Sequence, residues 1–294
     1  MTDEMNDLCG IVLVDKPAGI TSFSVLRRLK RILNIRKMGH GGTLDPAASG
    51  LMVVAIGKAT RLLPYFLGGD KAYDADIRFG QRTRSDDAES EVIEEAPWTH
   101  IQRADIEAAL EKFRGNVMQV PPAFSALHVD GKRAYELARK DVEVRLDPRP
   151  VTFYGFDILS YEAPVLRLHV ACSGGTYIRS LARDLGMALG SCAHLCGLRR
   201  TQSSAFHLEN AIELEKIDDV SQVIEKIISP FDVMDKLPAI ELENVQCSRM
   251  LQGQRFSYPK NLAPGSYRVS RKGHRKLEAI FEIAEDKSMK IHRF

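Results

Sequence analysis

Residues 38–56 read MGHGGTLDPAASGLMVVAI, and the organisation of the whole chain turns on them. From Met38 to Gly50, Gly39, Gly41, Gly42, Pro46 and Gly50 surround a single carboxylate, Asp45. Glycine lacks the Cβ that keeps a partner away, so this is a loop whose backbone approaches something closely. Pro46 disfavours the α region for Asp45 and holds it extended or in a turn. The dipeptide alone fits an Asx turn, and a carboxylate held this way can also do chemistry. Leu51 to Ile56 is apolar throughout and reads as a buried strand.

Working outward, Gly10 to Asp15 (GIVLVD) is a short apolar strand, stopped by the turn residues Lys16-Pro17-Ala18-Gly19. Thr21 or Ser22 can cap a helix that points Leu26, Leu29 and Leu33 inward and Arg27, Arg28, Lys30 and Arg31 outward. Downstream, Lys71 to Phe79 alternates as a strand. Ala104 to Arg114 has helical period, with Ile106, Leu110 and Phe113 on one face and Gly115 placed to end it. Val151 to Leu159 and Val165 to Cys172 form a strand pair, and Tyr177 to Leu189 is a helix opening after Gly174-Gly175-Thr176. These elements do not repeat as even βαβ units. The expected fold class is therefore α+β, a mixed, mainly antiparallel sheet flanked by helices, rather than a doubly wound one.

A chain of 294 residues has room for two domains, and at 44% hydrophobic and 27% charged it can build a core. No apolar run approaches the roughly 20 residues of a spanning helix, so no membrane is expected as a partner. The acidic first residues resemble neither a secretory signal nor a transit peptide. Five cysteines, an odd and scattered set, suit a reducing compartment, so a cytoplasmic location is expected.

The net charge of +2 conceals segregation. Between Thr21 and Arg61 eight Lys or Arg face one acid, Asp45, and between Arg249 and Phe294 eleven face four. Balancing acids gather at Asp86, Asp87, Glu89, Glu91, Glu94 and Glu95. Two basic zones on a near-neutral chain are the footprint of a polyanion binder. Ser229-Pro230 and Leu237-Pro238 bracket an expected linker, dividing a catalytic part (1–236) from a basic, strand-rich module (237–294). Cys192, His194 and Cys196 have metal-friendly side chains but no second pair at a useful spacing, so they read as buried helix cysteines and no metal is expected. Gly57-Lys58-Ala59-Thr60 is not a P-loop, because Met52 stands where that motif needs glycine.

Lys16-Pro17-Ala18-Gly19-Ile20-Thr21-Ser22, the Gly39 to Gly50 loop and Gly57-Lys58-Ala59-Thr60-Arg61 together resemble the opening of the bacterial tRNA pseudouridine-55 synthases of the TruB type. Lys71-Ala72-Tyr73, Pro121 to Leu127, Gly131 to Arg139, Gly174 to Leu181 and Leu198-Arg199-Arg200-Thr201 resemble that family's later blocks, in its order. The resemblance implies isomerisation of a uridine in the T-arm loop of tRNA, with no cofactor and no metal. It places the catalytic aspartate at Asp45 and a stabilising cation at Arg179. Tyr73 would stack on the flipped base and take the C5 proton, while Tyr177 and Leu198 line the pocket and His40 sits beside the extruded nucleotide. Asp45 could add to uracil C6, attack ribose C1′ or abstract a sugar proton; the nucleophilic routes need it ionised beside a cation. The family's small C-terminal domain, similar to the PUA fold, is matched loosely by residues 237–294, and the stretch of about 123–150, with Lys132, Arg133, Arg139 and Lys140, by its RNA-gripping insertion. A monomer with no obligate protein partner is expected.

Three other readings are open. One is a tRNA-binding or folding protein without catalysis, and another a guide-RNA-dependent pseudouridine synthase. The third is a glycoside hydrolase, which needs a second acid near Asp45 where the sequence shows a carboxylate-poor neighbourhood. On the polyanion reading, affinity for RNA falls linearly on a log–log plot against salt, as counterions released by phosphate contacts require. A flat salt titration would remove the electrostatic footprint.

Overall fold

The computed structural model describes residues 8–125, 128–129, 132–133 and 146–294. The Asp130-Gly131 turn, Arg139 and Lys140 lie outside the described residues, as do the side chains of Lys132 and Arg133.

A ten-stranded sheet forms the body. Its path runs Ile212–Glu213, Gly10–Lys16, Ser49–Ile56, Ala193–Ser203, Lys71–Phe79, Val165–Cys172, Arg149–Glu162 and Gly115–Gln119, with Met38–His40 and Phe206–His207 paired at its side. Neighbours along the path are antiparallel except Ile212–Glu213 with Gly10–Lys16 and Ser49–Ile56 with Ala193–Ser203. The expected mixed, mainly antiparallel sheet is what forms. Its central strands are apolar on both sides because both faces are covered. Val12 and Val14 point into one cluster, and Ile11 and Leu13 into the other.

The Ser22–Leu33 helix packs on the first face through Val25, Leu26, Leu29 and Leu33. Thr21 is its cap, accepting from the Ser24 amide, and Ser22 is released for another task. Arg28 departs from the expected outward face, donating instead to the carbonyls of Ile217 at 3.2 Å and Glu215 at 3.4 Å. The helices Arg103–Glu111 and Ile178–Ala188 cover the same face farther along. Gly115, at φ +85°, starts an edge strand after the first of them.

A second sheet, in the order Ala239–Leu242, Gly265–Arg271, Ala279–Ile283 and Met289–Arg293, has its own small core around Cys247, Met250 and Phe281. The expected linker before it is in fact packed chain. Pro230–Val233 is a helical turn whose Phe231, with Met234 beyond it, is buried in one cluster with Leu13, Leu51, Val53, Leu277 and Ile280. Arg268 lies 4.3 Å over the Phe231 ring and donates to its carbonyl. The prolines marked a break in regular structure, while the apolar residues between them are what join the two sheets.

Cys192 and Cys196 flank the start of the Ala193–Ser203 strand rather than sitting in a helix; Cys192 is buried and Cys196 exposed. His194 Nδ1 is 2.8 Å from the Gln81 carbonyl oxygen.

Gly50 shows why the 38–50 loop can feed the sheet. It pairs with both Lys16 and Arg200 at φ +102°, and a Cβ there would lie 2.4 Å from the Arg200 carbonyl oxygen. Gly50→Ala is expected to cost about 3 kcal/mol or more through backbone strain and clash. Urea unfolding checks this: the midpoint should fall with the slope unchanged.

Candidate active site

Asp45 sits in the loop between Met38–His40 and Ser49–Ile56, and its Oδ2 lies 3.2 Å from Arg179 Nε. Three groups hold that loop. Ser22 Oγ donates to the Leu44 carbonyl at 3.0 Å and accepts from the Leu44 amide at 2.9 Å, clamping the residue before Asp45. Lys16 Nζ donates to the carbonyls of Pro17, Ile20 and Pro46, so all three ammonium donors are used. Arg200, 2% exposed, donates through Nε to Leu51, through Nη1 to Thr43 and through Nη2 to Gly42.

Arg179 stands in the second position of the Ile178–Ala188 helix and is buried. Its Nη1 is 3.2 Å from both Asp87 Oδ2 and the Ser85 carbonyl oxygen, and its Nη2 donates to the Phe124 carbonyl at 2.9 Å. Asp87 Oδ1 accepts from Ser85 Oγ and from the Glu89 amide. The neighbourhood of Asp45 is therefore not carboxylate-poor, because folding returns part of the 86–95 acidic stretch to Arg179. Glu89 is close enough for burial, Asp87 and Asp45, in that order, to push its pKa up. Both Asp87 oxygens are committed to donors, whereas the Asp45 side chain is 43% exposed. Next to Asp87, Asp86 pairs with Arg183 at 3.1 Å, and burial raises its pKa against that cation.

Tyr73, Tyr177 and Leu198 come near this pair by different routes, while His40 lies beside Arg200 and Gly42. Tyr73, on the central Lys71–Phe79 strand, is buried and paired in register with Arg200. Burial raises its phenol pKa, opposed by the charge of Arg200 and a hydrogen bond from it, with Asp45 near enough to add its own charge. Tyr177 caps the Ile178–Ala188 helix. Its amide donates to Gln119 Oε1 at 2.9 Å and its carbonyl accepts from Gln119 Nε2 at 3.1 Å. Burial raises its phenol pKa as well. Leu198 lines a pocket with Asp45, Ala47, Ala48, Asp87, Ala88 and Arg179. His40 lies on the Met38–His40 strand, its pKa lowered by burial first and by Arg200 last, with the Gly42 backbone opposing.

The pocket measures about 20 Å³, roughly one water's room, and opens to solvent on the side of Asp45. A far larger cavity, about 830 Å³, lies between the two sheets and is lined by Lys58, Arg275, Lys276 and Phe231. Its Glu278 is bound by Arg271 at 2.8 Å, so the half-open carboxylate at Asp45 remains the better seat for chemistry.

Sequence reasoning missed Ser22, Gln119, Asp87 and Arg200 as parts of the site. Ser22 was hidden by its helix-capping neighbour and Asp87 by the acidic run around it. Arg200 carried no local signal, because it stands in the polar run Arg199-Arg200-Thr201-Gln202 and only its pairing with Gly50 and Tyr73 buries it.

Residues 30–178 match the TruB family pseudouridylate synthase N-terminal domain, and residues 179–234 the tRNA pseudouridylate synthase B C-terminal domain. A protein of Parasynechococcus marenigrum named tRNA pseudouridine synthase B is 45% identical over 250 residues, covering 84% of each chain. One of the same name from Stutzerimonas stutzeri is 38% identical over 286 residues, covering 95% of this chain and 93% of its own. Among solved structures, a chain of a Cbf5-Nop10-Gar1 complex superposes with a TM-score of 0.72 at 25% identity, covering 99% of this chain and 85% of that one.

Two expectations follow from the site. Asp87→Ala leaves a buried guanidinium short of a partner and should destabilise the fold by about 3 kcal/mol, read from the urea midpoint. Burial pushes the Lys16 ammonium down to about 8 from an ordinary 10.5, against the charge of Asp45. Between those pH values the folded protein has released a proton that the unfolded chain keeps, so Lys16 makes stability rise with pH. The unfolding free energy of wild type minus that of Lys16→Met should climb there by up to about 1.4 kcal/mol per pH unit. A difference independent of pH would refute the burial of this charge.

Proposed function

The chain belongs to the TruB family of pseudouridylate synthases, and on that premise we propose that it converts the uridine at position 55 in the T-arm loop of tRNA to pseudouridine. The observation that carries the reading is the Asp45–Arg179 pair, one carboxylate half open to solvent and one guanidinium locked behind it. In the reaction the N1–C1′ bond breaks, the base turns, and a C5–C1′ bond forms. N1 gains a proton and C5 loses one. Asp45 supplies the carboxylate that engages the nucleotide during the rearrangement. Arg179 holds it with a charge-assisted contact. Tyr73, held on its strand beside Arg200, stacks on the base and accepts the C5 proton. Tyr177 and Leu198 border the base, and His40 fills the space beside the flipped nucleotide.

Flipping is supported by the recess itself, because a base inside a stacked loop cannot reach a carboxylate set among Ala47, Ala48 and Leu198. The division into a catalytic part, 1–236, and an RNA-holding module, 237–294, rests on the second sheet and its basic composition. The enzyme acts as a monomer in the cytoplasm, without an obligate protein partner; no helix among the described residues is long and apolar enough to cross a membrane.

A guide-RNA-dependent synthase and a non-catalytic binder are the rival readings, and one experiment addresses them together. Purified protein is incubated with a bare T-arm stem-loop, and nucleosides are analysed by mass spectrometry. Pseudouridine from wild type and none from Asp45→Asn is the expected result. Product from Asp45→Asn would sink the aspartate mechanism, and no product from wild type would favour a guide-dependent or non-catalytic protein. Free uracil would mark hydrolysis.

A further inference from the structure

The Ser22–Leu33 helix carries a stripe that the fold does not use. Phe23, Arg27 and Arg31 follow at i, i+4 and i+8 and share one face. Phe23 is 60% exposed and belongs to none of the buried clusters. The Arg27 guanidinium lies over its ring, 5.3 Å from the centroid. Arg27 and Arg31 are exposed, and no carboxylate among the described residues pairs with either. By contrast Arg28, one position round, is spent on the carbonyls of Glu215 and Ile217.

Position gives the stripe its meaning. Ser22, the residue before Phe23, clamps Leu44 next to Asp45. From there the stripe runs roughly 12 Å along the helix at 1.5 Å per residue. One aromatic ring among cations that meet no carboxylate among the described residues is too small and too charged for a protein interface. It suits a single-stranded nucleotide, whose base stacks on the ring while its phosphates meet the guanidinium groups.

We infer that Phe23 is a stacking platform for an unpaired base of the RNA substrate outside the pocket at Asp45, with Arg27 and Arg31 holding the adjoining phosphates. This rests on the proposed reading of RNA as substrate. It also divides the basic first helix into residues that face RNA and one, Arg28, that serves the fold.

The test uses the full chain and a fluorescent T-arm stem-loop, with Kd measured across a salt series in the Asp45→Asn background to prevent turnover. Phe23→Ala should weaken binding about ten-fold with an unchanged salt slope, and Phe23→Trp should restore it. Arg27→Ala with Arg31→Ala should lower the slope of log K against log salt by about 1.5. Equal Kd for the parent and Phe23→Ala overturns the platform. So does full binding by Phe23→Leu, which would show an apolar contact without stacking. Because Phe23 is outside the core, unchanged urea midpoints confirm that folding is intact. Two failures separate cleanly. If wild type forms pseudouridine and Phe23→Ala binds equally well, only the platform falls; if wild type forms none, the substrate reading falls and takes the platform with it.

Discussion

Two buried cations decide the shape of the loop that carries Asp45. A charge taken out of water is tolerated only when its donors are bonded, and Arg200 and Lys16 meet that demand with backbone carbonyls. Arg200 takes those of Gly42, Thr43 and Leu51; Lys16 takes those of Pro17, Ile20 and Pro46. For these oxygens to converge on two points the chain must turn sharply and lie close to the Ala193–Ser203 strand. Gly42 at φ +126° and Gly50 at φ +102° allow it. The glycines are thus the local consequence of satisfying two charges, and Asp45 is carried on a frame anchored in the sheet.

A second level of organisation places the Asp45 carboxylate. Arg179 is shared by two carboxylates with unequal freedom. Asp87 is buried and bonded through both oxygens, which fixes the guanidinium plane together with the Ser85 and Phe124 carbonyls. Asp45 meets only the remaining Nε and stays half open to solvent. The inner carboxylate balances the buried charge, and the outer one keeps a solvent-facing side. Tyr73 is tied to the same frame by its backbone pairing with Arg200, so the carboxylate meets a guanidinium from the Ile178–Ala188 helix while the aromatic ring sits on the strand beside Arg200.

The opposite face of the sheet does different work. Ile11, Leu13, Leu51 and Val53 would leave a broad apolar surface, and Phe231, Met234, Leu277 and Ile280 cover it. The second sheet is consequently joined through a shared core rather than hung on a tether. Tyr65 bonding to Glu282, and Arg61 to the Arg293 carbonyl, extend that seam toward the surface.

Most of this was legible from local pattern. Alternation and apolar runs marked the Gly10–Lys16, Ser49–Ile56, Lys71–Phe79 and Val165–Cys172 strands but not the central Ala193–Ser203 strand, whose start read as helix; the spacing of Leu26, Leu29 and Leu33 marked the first helix, and the irregular order of elements pointed to a mixed sheet. The Asp45 loop stood out because glycine and Asp-Pro constraints act on neighbouring residues, where sequence is informative. What only tertiary structure decided is which distant groups share one charge. Asp87 lay inside an acidic run that read only as balancing charge, Arg28 on a helix face that read as outward, and the 229–238 segment between prolines that read as a linker. In each case the deciding partner is far along the chain: Arg179 for Asp87, the carbonyls of Glu215 and Ile217 for Arg28, and the back of the sheet for Phe231. Sequence determined most of the elements and singled out the loop of the candidate aspartate because those follow from near neighbours. The sharing of buried charge was left to the fold, because desolvation depends on what covers a group and not on what flanks it.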